Sequence, residues 1–173
     1  MNKIGILLVS LLFVFVVIGH YFLTPKIAYV NTGKVMVGFS DAAKVEKELS
    51  AEEEKWQKQL QEMEKELKAA VDSMSLEFNS APAARKKELQ DMLSARNQQI
   101  NNFKQVNNRR MNELKAKKMK TVIDKINVYT AEFGKKHRYD ILFGTVAGGS
   151  ILYGNNAYDA TDALIHGLNE RYK

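Results

Sequence analysis

The pattern of apolar and polar residues divides the chain into segments of different kinds. Residues 4–23 are predominantly apolar, and residues 41–133 carry apolar residues at helical spacing among many charges. Residues 26–40 and 134–173 are richer in β-branched residues, aromatic residues and glycine. These patterns are typical of a signal or membrane helix, of amphipathic helices and of short strands, respectively. The sequence therefore predicts an α+β protein with a long helical middle.

The apolar run over residues 4–23 contains no Asp, Glu, Lys or Arg. A helix of about twenty residues spans a hydrocarbon core of roughly 30 Å. A cleaved signal peptide is the alternative, but the small-residue cleavage site is missing where residues 19–22 stand. We expect residues 1–25 to form a signal anchor or an uncleaved signal peptide, and we favour the retained anchor. Either form sends the rest of the chain out of the cytoplasm.

The middle of the chain predicts a helical hairpin. Between residues 39 and 133 there is no glycine and only one proline, Pro82, and strong helix formers dominate. Pro82 predicts a tip near residues 79–83 that joins arms of about 41–78 and 83–133. Apolar residues recur along both arms at spacings of three, four or seven, which indicates a seam between them. The seam residues are Val45, Leu49, Trp56, Leu60, Met63, Leu67, Val71, Met74 and Phe78, and then Leu89, Leu93, Ile100, Phe103, Met111, Leu114, Val122, Ile126, Tyr129 and Phe133.

Charge favours antiparallel pairing of these arms. Acidic residues outnumber basic ones in the first arm, and the reverse holds in the second. Folding the chain at the tip places Glu48 opposite Lys115 and Glu46 opposite Lys117. An exposed ion pair contributes only about 0 to 1 kcal/mol, so we expect the charges to select the register while the seam supplies the stability. Polar residues interrupt that seam and predict loosely packed arms; they are Arg96, Asn107 and Lys118.

The two ends of the chain predict a small β body. Residues 26–31 and 139–145 read as strands, and residues 150–154 read as a third strand that forms a hairpin with the second. Asp159 is placed to cap a final helix whose apolar face comprises Ala163, Leu164, Ile165 and Leu168. Three strands and one helix bury little surface, and open sheet edges invite pairing, so we expect self-association. The predicted regions are the anchor or uncleaved signal peptide at 1–25, the first strand and turn of the body at 26–40, the helical hairpin at 41–133, and the β-hairpin and C-terminal helix of the body at 134–173.

The order of these segments is similar to that of a known family. The stretch KIAYVN, a charged helical hairpin, YDILFGT, SILYG and DATDALIHGLNERY together resemble the Skp/OmpH family of periplasmic outer-membrane-protein chaperones. The resemblance covers residues 26–173. It implies a homotrimer in which strands from three subunits form a small barrel, the trimer body, and three coiled-coil tentacles enclose a cavity for unfolded proteins without using ATP. On this sequence the implied body residues are Ile27, Tyr29, Ile141, Leu142, Phe143, Ile151 and Leu152.

The predicted client-binding surface combines cations with apolar side chains of the arms. For any single residue a solvated helix face or the hairpin seam is an ordinary explanation, and the collective surplus of cations in the second arm is the firmer signal. Trp56, the one tryptophan, fits seam packing. The cationic candidates are Lys104, Arg109, Arg110, Lys115, Lys117, Lys118 and Lys120, and the apolar candidates are Met63, Leu67, Met74 and Phe103.

These observations predict an ATP-independent holdase in the periplasm, tethered to the inner membrane by its N-terminal segment. Its partners would be unfolded outer-membrane or envelope proteins and two further copies of the chain. The net charge of +6 also suits lipopolysaccharide or an anionic lipid. Nucleic acid is a poorer fit, because the basic arm lacks an aromatic stacking platform. The alternative function is a membrane-anchored coiled-coil stalk or adaptor in an envelope secretion or motility complex.

The sequence gives little support for an enzyme, a metal site or a cofactor. Cysteine is absent, and His20, His137 and His166 have no partner at metal-ligand spacing. The glycine-rich stretch 144–150 has a serine where a phosphate loop requires lysine. The acids at 52–54 lie on a predicted exposed helix, which offers no pocket for general acid or base catalysis.

Overall fold

A computed structural model describes residues 11–15, 19, 24–146, 149 and 151–173. Contacts divide the chain into two units, which we call the body (Met1–Asp41 and Asp124–Lys173) and the hairpin unit (Ala42–Ile123). The elements in chain order are β1 (Ile27–Asn31), α1 (Thr32–Gly38), α2 (Ser40–Phe78), α3 (Ala83–His137), β2 (Ile141–Thr145), a 3-10 turn (Asn156–Tyr158) and α4 (Thr161–Arg171).

Most of the predicted N-terminal anchor lies outside the described residues. Residues 11–15 are helical and carry exposed apolar side chains. Within the described ranges, the structure contains no apolar helix of the length that a bilayer crossing requires.

The sheet of the body consists of two parallel strands. Ile27 pairs with Ile141, and the register continues to Asn31 opposite Thr145. Parallel strands cannot be joined by a tight turn, and here the whole helical hairpin serves as the crossover between them. Every second residue of β1 faces the core, so that Ala28 and Val30 are buried.

Within the described residues, the predicted β-hairpin between residues 139–145 and 150–154 is not formed. Within the described part of the second segment, residues 151–154 have no regular secondary structure, and β2 pairs with β1 instead. The segment is held by a side chain: the Tyr29 hydroxyl donates to the Gly154 carbonyl at 3.3 Å. A Cβ at Gly154 would lie 2.4 Å from the Tyr29 ring, so this contact requires glycine.

Residues 159–160 occupy the second edge of β1. Asp159 forms a parallel bridge with Tyr29, and the Ala160 amide donates to the Tyr29 carbonyl at 2.9 Å. Helix α4 then begins at Thr161, whose amide donates to the Asp159 carboxylate at 2.8 Å. Thr161 is buried and accepts a hydrogen bond from the Asn31 amide at 2.9 Å. Asp159 thus accepts from the first amide of the helix, but it does not occupy the predicted N-cap position, which is that of Ala160 and has no side-chain cap hydrogen bond.

Helix α4 packs against α1 and β1. Leu164 and Leu168 are fully buried, as the apolar pattern predicts, whereas Ala163 is exposed and was wrongly placed on the buried face. Leu164 and Leu168 are one helical turn apart and share a face, whereas position 163 lies about 100° from the first and 140° from the second, outside that face.

Residues 32–38, which the sequence predicts as a turn, form the short helix α1. The Asn31 side chain caps it by accepting from the Lys34 amide at 2.9 Å. The helical conformation is interrupted at Phe39, which lies between α1 and α2 and is fully buried. Asn169 of α4 stabilises this break, because its side chain donates to the Gly38 carbonyl at 2.9 Å and accepts from the Ser40 amide at 2.8 Å.

The arms predicted over 41–78 and 83–133 are the helices α2 and α3. Pro82 directly precedes α3, where its missing amide costs no helical hydrogen bond, and its carbonyl accepts from the Lys86 amide at 3.0 Å. Leu89, Ile100 and Val122 are the most buried residues of α3 in the hairpin unit, and all belong to the predicted seam. On the α2 side, Val71 is the exposed exception.

Candidate binding surface

Among the described residues, the candidate cations Lys104, Lys118 and Arg109 have acidic partners. Lys104 lies 2.8 Å from Glu64, and Lys118 lies 2.5 Å from Glu48, so both bridge the two helices of the hairpin unit. Arg109 pairs with Glu113 of its own helix at 2.9 Å. Because their charge is partly neutralised, all three are less available to an anionic partner, and Lys104 and Lys118 contribute instead to the register of the hairpin.

The remaining candidates are exposed. Within the described residues, Arg110, Lys115 and Lys117 form no ion pair, and Lys120 is likewise exposed. Lys115 and Lys117 are close in sequence but differ in direction on a helix by about 200°. The available positive charge is therefore spread around α3 and does not form a pocket.

The four apolar candidates are half-buried members of the seam. Met63 and Leu67 on α2 and Phe103 on α3 each keep part of their surface accessible. Met74 lies near the tip, where it lines a cavity of about 310 Å³. The lining also includes Val71, Phe78, Leu89 and Leu93. The seam is thus incompletely closed near the tip, as the interrupted pattern predicts.

Four exposed apolar residues of the hairpin unit were missed by the sequence reasoning. Leu76 and Val106 are the most exposed of them, and the others are Met92 and Ile123. Leu76 on α2 is 83% exposed and Val106 on α3 is 63% exposed. Both fall between the seam positions, and this is the signal that would have identified them. Exposing large apolar side chains to water is unfavourable, and side chains in such positions are available to contact a partner.

Trp56 lies on the seam as predicted, but the N–H group of its indole is left without a hydrogen bond among the described residues. Its Nε1 atom is buried and has no hydrogen-bond partner in the described part of the chain. A cavity of about 20 Å³ adjoins it, lined also by Glu52, Asn107 and Arg110. This volume suits a single water molecule beside polar groups. The polar residue Asn107 interrupts the seam at this level.

The tip of the hairpin is stabilised by hydrogen bonds from one arginine to two glutamates. Arg85 donates to the two carboxylate oxygens of Glu77 at 2.7 and 3.3 Å, and to Glu88 at 2.9 Å. The hydrogen bond from Arg85 lowers the pKa of the Glu77 carboxyl, and the carboxylates raise the pKa of Arg85. The Lys86 ammonium lies 5.4 Å from the centre of the Phe78 ring. Both contacts link the end of α2 to the start of α3.

In the body, four of the seven residues that we assigned to a trimer line one apolar groove of about 340 Å³. They are Ile27, Tyr29, Phe143 and Ile151, and the groove also contains Tyr153 and Tyr158, which the sequence reasoning did not select. Burial in this groove and the charge of Asp159 raise the pKa of the Tyr29 hydroxyl.

The other three assigned residues lie outside the groove lining. Leu142 is half-buried on β2, Ile141 is exposed at the start of that strand, and Leu152 is 93% exposed. Tyr153 is 84% exposed. The body therefore presents a strip of apolar side chains from β1, β2 and the 151–158 segment that its own chain leaves uncovered.

The two histidines of the described region differ in their surroundings. His137 at the end of α3 packs on Phe133, with ring centres 4.3 Å apart, and His166 is exposed on α4. Among the described residues, no three His, Asp or Glu side chains come together as metal ligands. His20 lies outside the described residues.

Comparisons with known proteins agree with this architecture. A family profile described as "Outer membrane protein (OmpH-like)" matches residues 26–168. The crystal structure of an OmpH-like protein from Caulobacter crescentus CB15, described as an outer membrane chaperone, is similar with a TM-score of 0.78 over 86% of each chain, at 14% sequence identity. At this identity the likeness concerns the fold. No curated protein sequence matches the chain significantly.

Proposed function

Because this chain belongs to the OmpH-like family, we propose that it is an ATP-independent holdase that binds unfolded outer-membrane or envelope proteins and prevents their aggregation. It acts in the periplasm, where residues 4–23 tether it to the inner membrane. A holdase needs neither a cofactor nor a catalytic residue.

The observation that carries the proposal is the surface of the hairpin unit. Leu76 and Val106 expose apolar side chains, and Lys115 and Lys117 of the same unit are exposed cations that form no ion pair in the described part of the chain. An unfolded envelope protein offers apolar segments and carboxylates, which suit both kinds of group. Many weak apolar contacts, helped by Coulomb attraction, allow binding without one fixed geometry. Release then requires only that the client reach a more stable folded state.

The active species is a homotrimer joined through the bodies. Ile27, Phe143, Leu152 and Tyr153 support this proposal, because they form an uncovered apolar strip beside an open sheet edge. Association of three such strips would remove them from water and place three hairpin units around one cavity. Native mass spectrometry of the full chain in nanodiscs tests this step. A strict monomer at micromolar concentration would exclude it.

Holdase activity is tested by diluting a urea-denatured outer-membrane β-barrel protein into buffer and following light scattering. We expect the full chain in nanodiscs to suppress scattering at a stoichiometric ratio, whereas empty nanodiscs do not. Undiminished scattering at an excess of the chain would refute the proposed function. Capture of one stoichiometric partner and no denatured clients would favour a stalk or adaptor instead.

A further inference from the structure

A cluster of cations lies beside Lys26, which follows the predicted membrane segment closely in the sequence. It consists of Lys26, directly before β1, and of Lys135, Lys136 and Arg138, around the end of α3. All four side chains are exposed. We call them the root cluster. They lie outside the hairpin unit, and the client-binding surface does not include them.

The root cluster is brought together by hydrogen bonds of Lys26. Its amide donates to the Asp140 carboxylate at 2.6 Å, and its ammonium donates to the His137 carbonyl at 2.9 Å. Its carbonyl accepts from the Asp140 amide at 2.8 Å. The ammonium also lies 4.5 Å from the centre of the Tyr139 ring. Lys26, directly before β1, is therefore fixed to the turn that follows α3.

This attachment limits how far the root cluster can be from a bilayer. Leu23 is the last residue of the apolar run and precedes Lys26 by three positions. Three residues span at most about 11 Å even when fully extended. Electrostatic attraction in physiological salt extends over roughly 8 to 10 Å. Lys26 therefore lies no more than about 11 Å along the chain from the end of the predicted membrane segment, a distance close to the range of electrostatic attraction, and its hydrogen bonds keep the rest of the cluster beside it.

The charges of the cluster are largely uncompensated. Within the described residues, Lys135, Lys136 and Arg138 form no ion pair, and the nearby Glu132 is engaged by Arg171 at 3.7 Å. Asp140 is the one acid in the turn, and it accepts from the Lys26 amide. The helix dipole accounts for Lys135 and Lys136 in the last turn of α3. It does not account for Lys26 and Arg138, which lie beyond the helix.

Arg138 occupies a position that normally favours glycine. Its φ is 57°, and the Tyr139 amide donates to the Gly134 carbonyl at 2.9 Å, which is the arrangement of a glycine-terminated helix end. Here the residue in the left-handed conformation is a cation with an exposed side chain. The helix end therefore carries a charge where its backbone geometry alone would favour glycine.

We propose that the root cluster binds the anionic headgroups of the bilayer that holds residues 4–23, and so keeps the body against the membrane surface. The proposal rests on the tether described under the proposed function, but not on holdase activity. Each cation near an anionic membrane surface strengthens binding by roughly fivefold, so three of them change the docked-to-undocked ratio on the order of a hundredfold.

Fluorescence energy transfer in proteoliposomes tests this proposal. The chain has no cysteine, so Gly134→Cys provides a unique labelling site beside the cluster, and a Cβ there meets no atom within 4 Å. The acceptor is placed on lipid headgroups. We expect high transfer in vesicles that contain phosphatidylglycerol, lower transfer in pure phosphatidylcholine, and a decrease when 0.5 M salt is added.

The charge dependence is tested with Lys135→Gln, Lys136→Gln and Arg138→Gln combined, which should reduce transfer in anionic vesicles to the level in neutral ones. The matched control removes the same charge from exposed positions of α2 and should leave transfer unchanged; its substitutions are Lys55→Gln, Lys58→Gln and Lys68→Gln. Circular dichroism confirms equal helix content in all variants.

Two outcomes would overturn the inference in distinguishable ways. Equal transfer in neutral and anionic vesicles, or in the cluster variant and its control, overturns the role of the root cluster while the chain remains inserted. Failure of the full chain to float with vesicles overturns the tether and, with it, this inference. Holdase activity is measured separately by light scattering and is independent of either result.

Discussion

Lys118 Nζ lies 2.5 Å from a carboxylate oxygen of Glu48 and so joins α3 to α2 within the hairpin unit. The lysine is about one-third exposed and the glutamate more than half exposed. Lys104 and Glu64 form a second bridge of this kind nearer the tip. Both pairs connect residues that are distant in sequence, and their order along the helices shows that the arms are antiparallel.

Because the Glu48–Lys118 pair is largely solvated, we expect it to define register more than stability. Lys118→Gln should lower the free energy of unfolding by less than about 1 kcal/mol. Exchange of the two charges, with Glu48→Lys and Lys118→Glu combined, should restore most of that loss. Urea denaturation measures both. A loss of several kcal/mol from Lys118→Gln would contradict the solvated character of the pair.

Apolar side chains exposed on the arms should carry much of the holdase activity. Leu76→Ser combined with Val106→Ser removes apolar surface that contacts no core, so stability should change by about 0.5 kcal/mol or less per site. We expect a severalfold higher concentration of the variant to be needed to suppress scattering of the denatured client.

The matched control for that variant changes exposed valines of the body. Val37 and Val128 are 84% and 54% exposed, and Val37→Ser with Val128→Ser should leave the suppression of scattering unchanged. If the control loses as much activity as the arm variant, the hairpin unit is not the preferred binding surface.

The unpaired cations of α3 should act mainly on the rate of client capture. Lys115→Gln with Lys117→Gln should lower the association rate with an acidic unfolded client severalfold in low salt, and the difference should disappear in 0.5 M salt. Stopped-flow fluorescence of Trp56 follows association. Lys104→Gln serves as the comparison, because Lys104 is already paired with Glu64; a larger effect from this residue would argue against the unpaired cations.

The sequence predicted the arms well because the signals for a long helix are local and repeated. Every α3 seam residue that we selected, from Leu89 to Phe133, is at least half-buried. The charge asymmetry correctly indicated acid–base pairing, but the predicted partner of Glu48 was Lys115, whereas Lys118 is the residue found. The difference is nearly one helical turn. It depends on the path of the tip from Phe78 to Ala83, which periodicity does not specify.

The body was predicted less well because its structure depends on contacts between distant residues. The stretch 150–154 has strand-like composition, yet residues 151–154 pack beside Tyr29 without joining the sheet. The edge of β1 is instead occupied by Asp159 and Ala160. Helix α1 was missed because residues 26–40 were predicted as a strand and a turn, whereas the cap from Asn31 and the contact of Asn169 with the Gly38 carbonyl stabilise a helix there.

The tip of the hairpin should loosen in acid. The hydrogen bond from Arg85 holds the pKa of the Glu77 carboxyl below its ordinary value of 4.5. A carboxyl whose pKa is lower in the folded state stabilises that state above its ordinary pKa, and the contribution is lost as the pH falls through the lowered value. Hydrogen exchange of amides at residues 77–86 should therefore accelerate below about pH 4 relative to the rest of the hairpin unit. With Glu77→Gln this additional acid sensitivity should be absent; if it persists, another group is responsible.

Gly167 in α4 should resist replacement, although alanine is normally the better helix former. A Cβ at Gly167 would lie 1.9 Å from the Tyr129 hydroxyl oxygen and 2.9 Å from the ring carbon that bears it, so α4 and α3 could not keep their present contact in the body. We expect Gly167→Ala to lower the free energy of unfolding by about 1 to 3 kcal/mol, as overpacking does. Gly134 provides the matched control, because its Cβ would meet nothing within 4 Å, and Gly134→Ala should raise stability by roughly 0.5 to 1 kcal/mol. Combining Gly167→Ala with Tyr129→Ala should cost less than the two single changes together, because the second substitution removes the clash that the first creates. Equal stabilisation by alanine at both glycines, measured by urea denaturation, would show that Tyr129 does not pack against α4 in this way.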